Sequence, residues 1–171
     1  MSLITRHGDL EGLSGAIFSP CERYRYDLWR LWDREKPFVA FLMLNPSTAD
    51  EFQLDPTNRR CQGYAMDWGY GGFHVINIFA FRATDPRDMK KAADPVGPDN
   101  DRFIADIAGQ ADKVICGWGV HGTHHQRHLS VAAMLAEHKI QPLAIKTTKE
   151  GHPCHPLYLR KDLVPTAWSP L

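Results

Sequence analysis

Phe38-Val39-Ala40-Phe41-Leu42-Met43-Leu44 is an uninterrupted apolar run that stops at Asn45-Pro46-Ser47. A run without alternation reads as a strand buried on both faces of a parallel or mixed sheet, and Asn-Pro is the turn chemistry that ends it. Three later runs share this character: Phe73-His74-Val75-Ile76-Asn77-Ile78-Phe79, Lys113-Val114-Ile115-Cys116-Gly117-Trp118 and Pro142-Leu143-Ala144-Ile145. Helical patterns lie between them at residues 57–68, 98–109 and 123–137. The first is opened by Asp55-Pro56, a cap followed by a proline whose missing N–H costs nothing in the first turn. Strands alternating with helices of this length predict crossover units, hence an α/β fold: a three-layer α/β/α sandwich around a mostly parallel central sheet. Residues 13–18 and 24–32 are aromatic-rich and loosely alternating, as in a hairpin or strand pair on one sheet edge. The expected organisation is one domain over 1–171, with hairpin or edge elements in 1–36 and the core in 37–171. Residues 84–101 read as one long surface loop.

Twenty basic residues balance twenty acidic ones, so net charge gives no attraction to a polyanion, and a high-affinity non-specific DNA binder is disfavoured. Cys21, Cys61, Cys116 and Cys154 form no C-x-x-C pair, which suggests neither a zinc site nor a disulfide framework. The first fifteen residues lack the apolar run of a signal peptide, and the longest apolar segment is far shorter than the roughly 20 residues that span a bilayer. The expectation is a cytoplasmic protein with no membrane contact and no cofactor.

In open parallel sheets, ligands bind beyond the carboxyl ends of the strands, where loops and helix N-termini converge. The polar motifs of this chain fall there. The first buried strand runs into Asn45-Pro46-Ser47-Thr48-Ala49-Asp50-Glu51, and the fourth run leads to Gly151-His152-Pro153-Cys154-His155-Pro156. Asn77 places an amide inside the second run, and Arg59 and Arg60 follow the first loop as candidate phosphate contacts. Plain structural readings stand beside each of these. Asn45-Pro46-Ser47 also suits a turn and helix cap, Asn77 a backbone contact, His152 and His155 solvated loop rings, and Arg59 and Arg60 surface charges. The run His121, His124, His125, His128 reads as a solvated helix start, with metal binding by neutral imidazoles as the alternative.

Taken in chain order, Leu44-Asn45-Pro46-Ser47, Val75-Ile76-Asn77-Ile78 and His155-Pro156-Leu157-Tyr158-Leu159-Arg160 resemble the uracil-DNA glycosylase superfamily. There a buried strand ends in an Asn-Pro or Asp-Pro loop, a second strand carries an asparagine, and a late loop carries His-Pro. The segment from Asn77 through Phe81-Arg82 to Asp85-Pro86 also looks like the stretch after the second strand in those enzymes. The whole chain is closely similar to the bacterial domain-of-unknown-function family numbered 1643, through its Leu-Asn-Pro-Ser, Asn-Ile-Phe and Gly-Trp-Gly segments.

The superfamily resemblance implies that Asn45 positions the attacking water and Asn77 reads the edge of a base. It implies that His155 or His152 stabilises charge on the departing base, and that Pro46, Ser47 and Phe81 shape the substrate site. Because an Asn amide is no general base near neutral pH, Asp50, Glu51 or Asp55 would supply the carboxylate. The chain departs from the pattern in lacking an assigned stacking aromatic, Phe52 being nearer than expected, and in having Cys154 and Leu157-Tyr158 where the superfamily has a serine and a wedge. Single-stranded DNA, a nucleotide or a nucleoside is therefore the expected substrate rather than duplex DNA. Two alternatives remain: a non-catalytic nucleotide or modified-base binding protein of the same fold, and a metal-dependent hydrolase using the cluster from His121 to His128.

Overall fold

The computed structural model describes residues 2–48, 53 and 55–170. Its strands are β1 (Ile4–His7), β2 (Ser14–Phe18), β3 (Arg25–Leu31), β4 (Phe38–Met43), β5 (Gly72–Asn77), β6 (Lys113–Cys116), β7 (Pro142–Ala144) and β8 (Thr166–Ala167). The helices are α1 (Pro56–Asp67), α2 (Pro86–Lys91), α3 (Asn100–Gln110) and α4 (Arg127–Glu137). Among the described residues all eight strands form one sheet, in the order β1-β2-β3-β5-β4-β6-β7-β8.

The four apolar runs are β4 to β7, and they pair in parallel at the centre of the sheet. The remaining pairings, β1 with β2, β2 with β3, β3 with β5 and β7 with β8, are antiparallel. The sheet is thus mixed, not mostly parallel as its central runs suggest. A parallel pairing needs a crossover of a dozen or more residues, and the short connections of the N-terminal strands permit only hairpins.

Alternate residues of β4 serve different cores, as the period of a strand requires. Ala40 and Leu42 join Ile76, Val114, Ile104 and Ile107 of α3, and Val131 and Leu135 of α4. Val39, Phe41 and Met43 join Phe73, Val75, and Cys61, Tyr64 and Ala65 of α1. Asp55 caps α1 by accepting the Asn58 N–H at 2.7 Å, with Pro56 in the first turn. The same signal operates a second time where a continuous loop was expected. Asp85 accepts the N–H of Arg87 ahead of α2, whose Met89 is fully buried, so residues 84–101 contain a helix and the start of another.

Two backbone details set up the site. Ile17 pairs with Asp27 and Phe18 with Arg25, so Tyr26 is an extra residue in β3. Such a bulge reverses the inward–outward alternation beyond it. Tyr26 stacks on Phe103 of α3 at 5.0 Å, while Arg25 lies on the side of Phe18, in the α1 core. The second detail is Gly117, directly after β6. A Cβ there would lie 3.1 Å from both Met43 Sδ and Pro156 Cδ, so glycine is what lets the late His-Pro loop pass close to the end of β4.

Candidate functional site

Beyond the carboxyl ends of β4 and β5 lies a cavity of about 220 Å³. Leu44, Asn45, Pro46 and Ser47 form one wall, Val75 and Asn77 the floor, and Asp55, Thr57 and Asn58 at the start of α1 another wall. Met43, His155, Arg25, Ala83, Thr84 and Pro86 complete it. Residues 45, 77 and 155, separated widely in sequence, therefore line one space. The volume is below the roughly 300–1,000 Å³ of pockets for drug-sized ligands and suits a single ring.

Asn45 is held by the loop after β5. Its Nδ2 donates to Ala83 O at 2.8 Å and Pro46 O at 3.2 Å, with Phe81 O at 3.5 Å. With the N–H groups committed, the side chain keeps its oxygen as an acceptor. Backbone bonds tie the same loops together, Ile78 N to Met43 O, Phe79 N to Leu44 O and Ala83 N to Pro46 O. The turn reading and the site reading of Asn45 thus apply at once.

Asn77 is 2% exposed, and its backbone is fixed from behind. The fully buried Asn100 donates through Nδ2 to Asn77 O at 2.9 Å and Ile78 O at 3.2 Å. Arg127 adds an Nε bond to Ile78 O at 2.8 Å and pairs with Asp101 at 2.5 Å. Three side-chain hydrogen bonds onto the carbonyls of Asn77 and Ile78 make the position of this turn well defined.

His155 caps the short 3-10 turn Pro156–Tyr158, accepting the Leu157 N–H through Nδ1 at 3.2 Å. A ring nitrogen that accepts carries no proton, so the neutral ring holds its hydrogen on Nε2. Burial lowers the His155 pKa below its ordinary 6.5, with the Asp55 carboxylate offsetting part of the effect. The loop around it is anchored on α1. Arg60 donates to Leu159 O, and Tyr64 Oη donates to Arg160 O at 2.5 Å.

Burial also lowers the pKa of His121, His124 and His128. The unfolded chain therefore binds more protons than the folded one between those lowered values and about 6.5. This stability is fully present above pH 6.5 and is lost as the pH falls. Thermal unfolding followed from pH 7.5 to 5.5 is expected to give a steadily falling Tm, and a Tm that rose on acidification would contradict the neutral assignment of these rings.

The structure gathers Asn45, Pro46, Ser47, Asn77 and His155, and leaves other candidates elsewhere. Arg59 and Arg60 line a separate groove with Gly63, Tyr64, Asp67, Leu157 and Lys161. The helical period explains this: Asn58 and Cys61 face inward on α1, which turns Arg59 to solvent. Arg60 is tied to the loop that follows His155 by its bond to Leu159 O. Phe81 packs against Tyr24 at 5.9 Å and the α3 core, outside the cavity. His152 also lies outside it, its ring 6.1 Å from His128. Asp50, Glu51 and Phe52 lie outside the described residues, so Asp55 is the carboxylate that lines the cavity among those described.

The histidine run does not converge. Residues Val120–Gln126 form 3-10 turns broken at His124 and His125, the latter at φ 53°, so helical spacing does not apply to them. His121 Nδ1 meets Lys90 Nζ at 2.8 Å, and His124 and His125 rings pack at 3.9 Å. Among the described residues no group of three or more His, Cys, Asp or Glu side chains is placed to hold a metal ion. Nor, among them, is any helix long and apolar enough to cross a membrane.

Sequence reasoning passes over Arg25, Asn58, Asn100 and Arg127. The first depends on a bulge, but Asn58 and Asn100 carried a signal, being asparagines at inward positions of amphipathic helices. No curated protein and no solved structure matches the chain. A family model does match it, over residues 25–157, a span that begins at Arg25 and ends just past His155. The chain, with its whole cavity inside that span, belongs to the family described as protein of unknown function (DUF1643).

Proposed function

We propose that the cavity binds a nucleobase, presented by a nucleoside, a nucleotide or single-stranded DNA, and that the protein hydrolyses its N-glycosidic bond. The observation that carries the reading is the meeting of Asn45, Asn77 and His155 in one small cavity at the strand ends. Breaking this bond builds positive charge on the sugar and negative charge on the base, so catalysis needs a donor at the base and an oriented water at the sugar. His155, neutral with its hydrogen on Nε2, is the donor. Asn45 Oδ1 accepts from the water, Asn77 pairs with the base edge, and Asp55, the carboxylate that lines the cavity among the described residues, faces the water. In the balanced step, the C–N bond breaks with its electron pair going to the base, a C–O bond forms to water, and the water's proton leaves through solvent or Asp55.

The likeness to a uracil-DNA glycosylase fold, and the three-layer arrangement that goes with it, belong to the same proposal. The division of β4 between an α1 core and an α3–α4 core supports both. A second reading, a base-binding protein without turnover, is favoured by one observation: the Asn45 amide is bound to three backbone carbonyls, a structural task that needs no chemistry.

The test is incubation of the purified protein with uracil-containing and damaged single- and double-stranded DNA, and with a nucleoside panel. Free base released from a single-stranded or small substrate is the expected result. Binding without release selects the second reading, and unchanged, unbound substrates throughout reject both.

A further inference from the structure

The asparagines around the cavity fall into two kinds. Asn45 commits its amide hydrogens to the carbonyls of Pro46 and Ala83, and Asn100 commits its own to those of Asn77 and Ile78. Asn58 and Asn77 are 4% and 2% exposed, line the cavity, and have no side-chain hydrogen bond among the described residues. The Asn58 side chain is not needed as a cap, since its backbone N–H already meets Asp55 Oδ1 at 2.7 Å. An amide this deep without a partner forfeits its bonds to water. A small apolar residue would fill an inward position of α1 without that loss, as Cys61 and Ala65 do. The two amides also stand on rigid elements, Asn58 in the first turn of α1 and Asn77 at the end of β5, so their places in the cavity are fixed before a ligand arrives.

We propose that Asn58 is a specificity-determining residue of this cavity, hydrogen-bonding a second edge of the ring whose first edge pairs with Asn77. This rests on the nucleobase reading and adds to it that the ligand carries polar groups on two edges. A carboxamide presents an oxygen on one side and an NH2 group on the other, and a turn about its last torsion exchanges them. The pair therefore accommodates carbonyl and amino edges alike, and selects for the number of polar edges. A ring with one polar edge leaves a buried amide unpaired, the arrangement that binding sites reject most strongly.

Calorimetric titration with three rings of one size tests it, each methylated at the ring nitrogen that a sugar would occupy. 1-Methyluracil and 1-methylcytosine carry polar groups on two edges, and 1-methyl-2-pyridone keeps a single carbonyl. The wild type is expected to bind the better of the first two at least about tenfold more tightly than the pyridone. N58L and N58A are expected to reduce that ratio to below about threefold by weakening the two-edged ring, with pyridone affinity unchanged or improved. In the wild type, where no variant has to fold, the Asn58 side-chain amide signals are expected to shift on saturation with the two-edged ring. Wild-type selectivity retained in the folded variants, or Asn58 amide signals that stay in place while a base saturates the Asn77 amide, overturns the proposal and leaves the nucleobase reading standing. Equal wild-type affinity for all three rings does the same. No binding of any of them at millimolar concentration removes both.

Discussion

Replacing His155 with alanine is expected to slow base release by about 10²–10³-fold, the usual loss when one preorganised donor to a developing negative charge is removed. The loss should fall on kcat, because the base carries little charge until the bond is breaking. His155 is suited to this role because its state is fixed: Nδ1 is occupied by the Leu157 N–H, and burial keeps the ring neutral. The variant also leaves that N–H without its partner, a stability cost of about 1 kcal/mol. Turnover is therefore measured by single-turnover base release well below the melting temperature. A loss of only a few-fold in kcat would mean that another group carries the charge on the base.

The largest effect on stability is expected at Phe41. Fully buried in β4, it stacks on Trp68 at 6.0 Å and meets Phe73 edge-on at 6.2 Å. Truncation to alanine removes the ring from between two aromatic neighbours that are themselves fixed, one at the end of α1 and one in β5, so the space cannot collapse. A cost of about 3–5 kcal/mol follows. Urea unfolding should give a midpoint lowered in proportion with an unchanged slope. A cost below about 1 kcal/mol would contradict the packing of α1 on β4. Because β4 delivers the Asn45 loop, the surviving folded fraction should also bind ligand less well.

The central strands and the three motif residues were legible in the sequence for one physical reason. A buried parallel strand is an apolar run, and a polar residue at its end has no packing role to explain it. Asn45, Asn77 and His155 stand out against such surroundings. Arg25 does not, since its direction is decided by the bulge at Tyr26, and a one-residue change of alternation has no local signature. Asp85-Pro86 carried the same cap signal as Asp55-Pro56, but the next six residues are too few for a period to register, and α2 was read as loop. Arg59 and Arg60 line a groove apart from the cavity because nearness in sequence to the Asn45 loop is not nearness in space, each residue of α1 turning about 100° from the last. The histidine run misled in a similar way, its metal alternative assuming a regular helix that the turns at His124 and His125 interrupt.

The central claim, that a nucleobase occupies the cavity of Asn45, Asn77 and His155, is tested most directly by NMR. The side-chain amide signals of the two asparagines and the ring signals of His155 are followed while free bases, nucleosides and nucleotides are titrated in. The account predicts that these three side chains shift together along one saturating curve. Saturating shifts confined to the separate groove of Arg59 and Arg60, or no shift of the three at millimolar ligand, would contradict it.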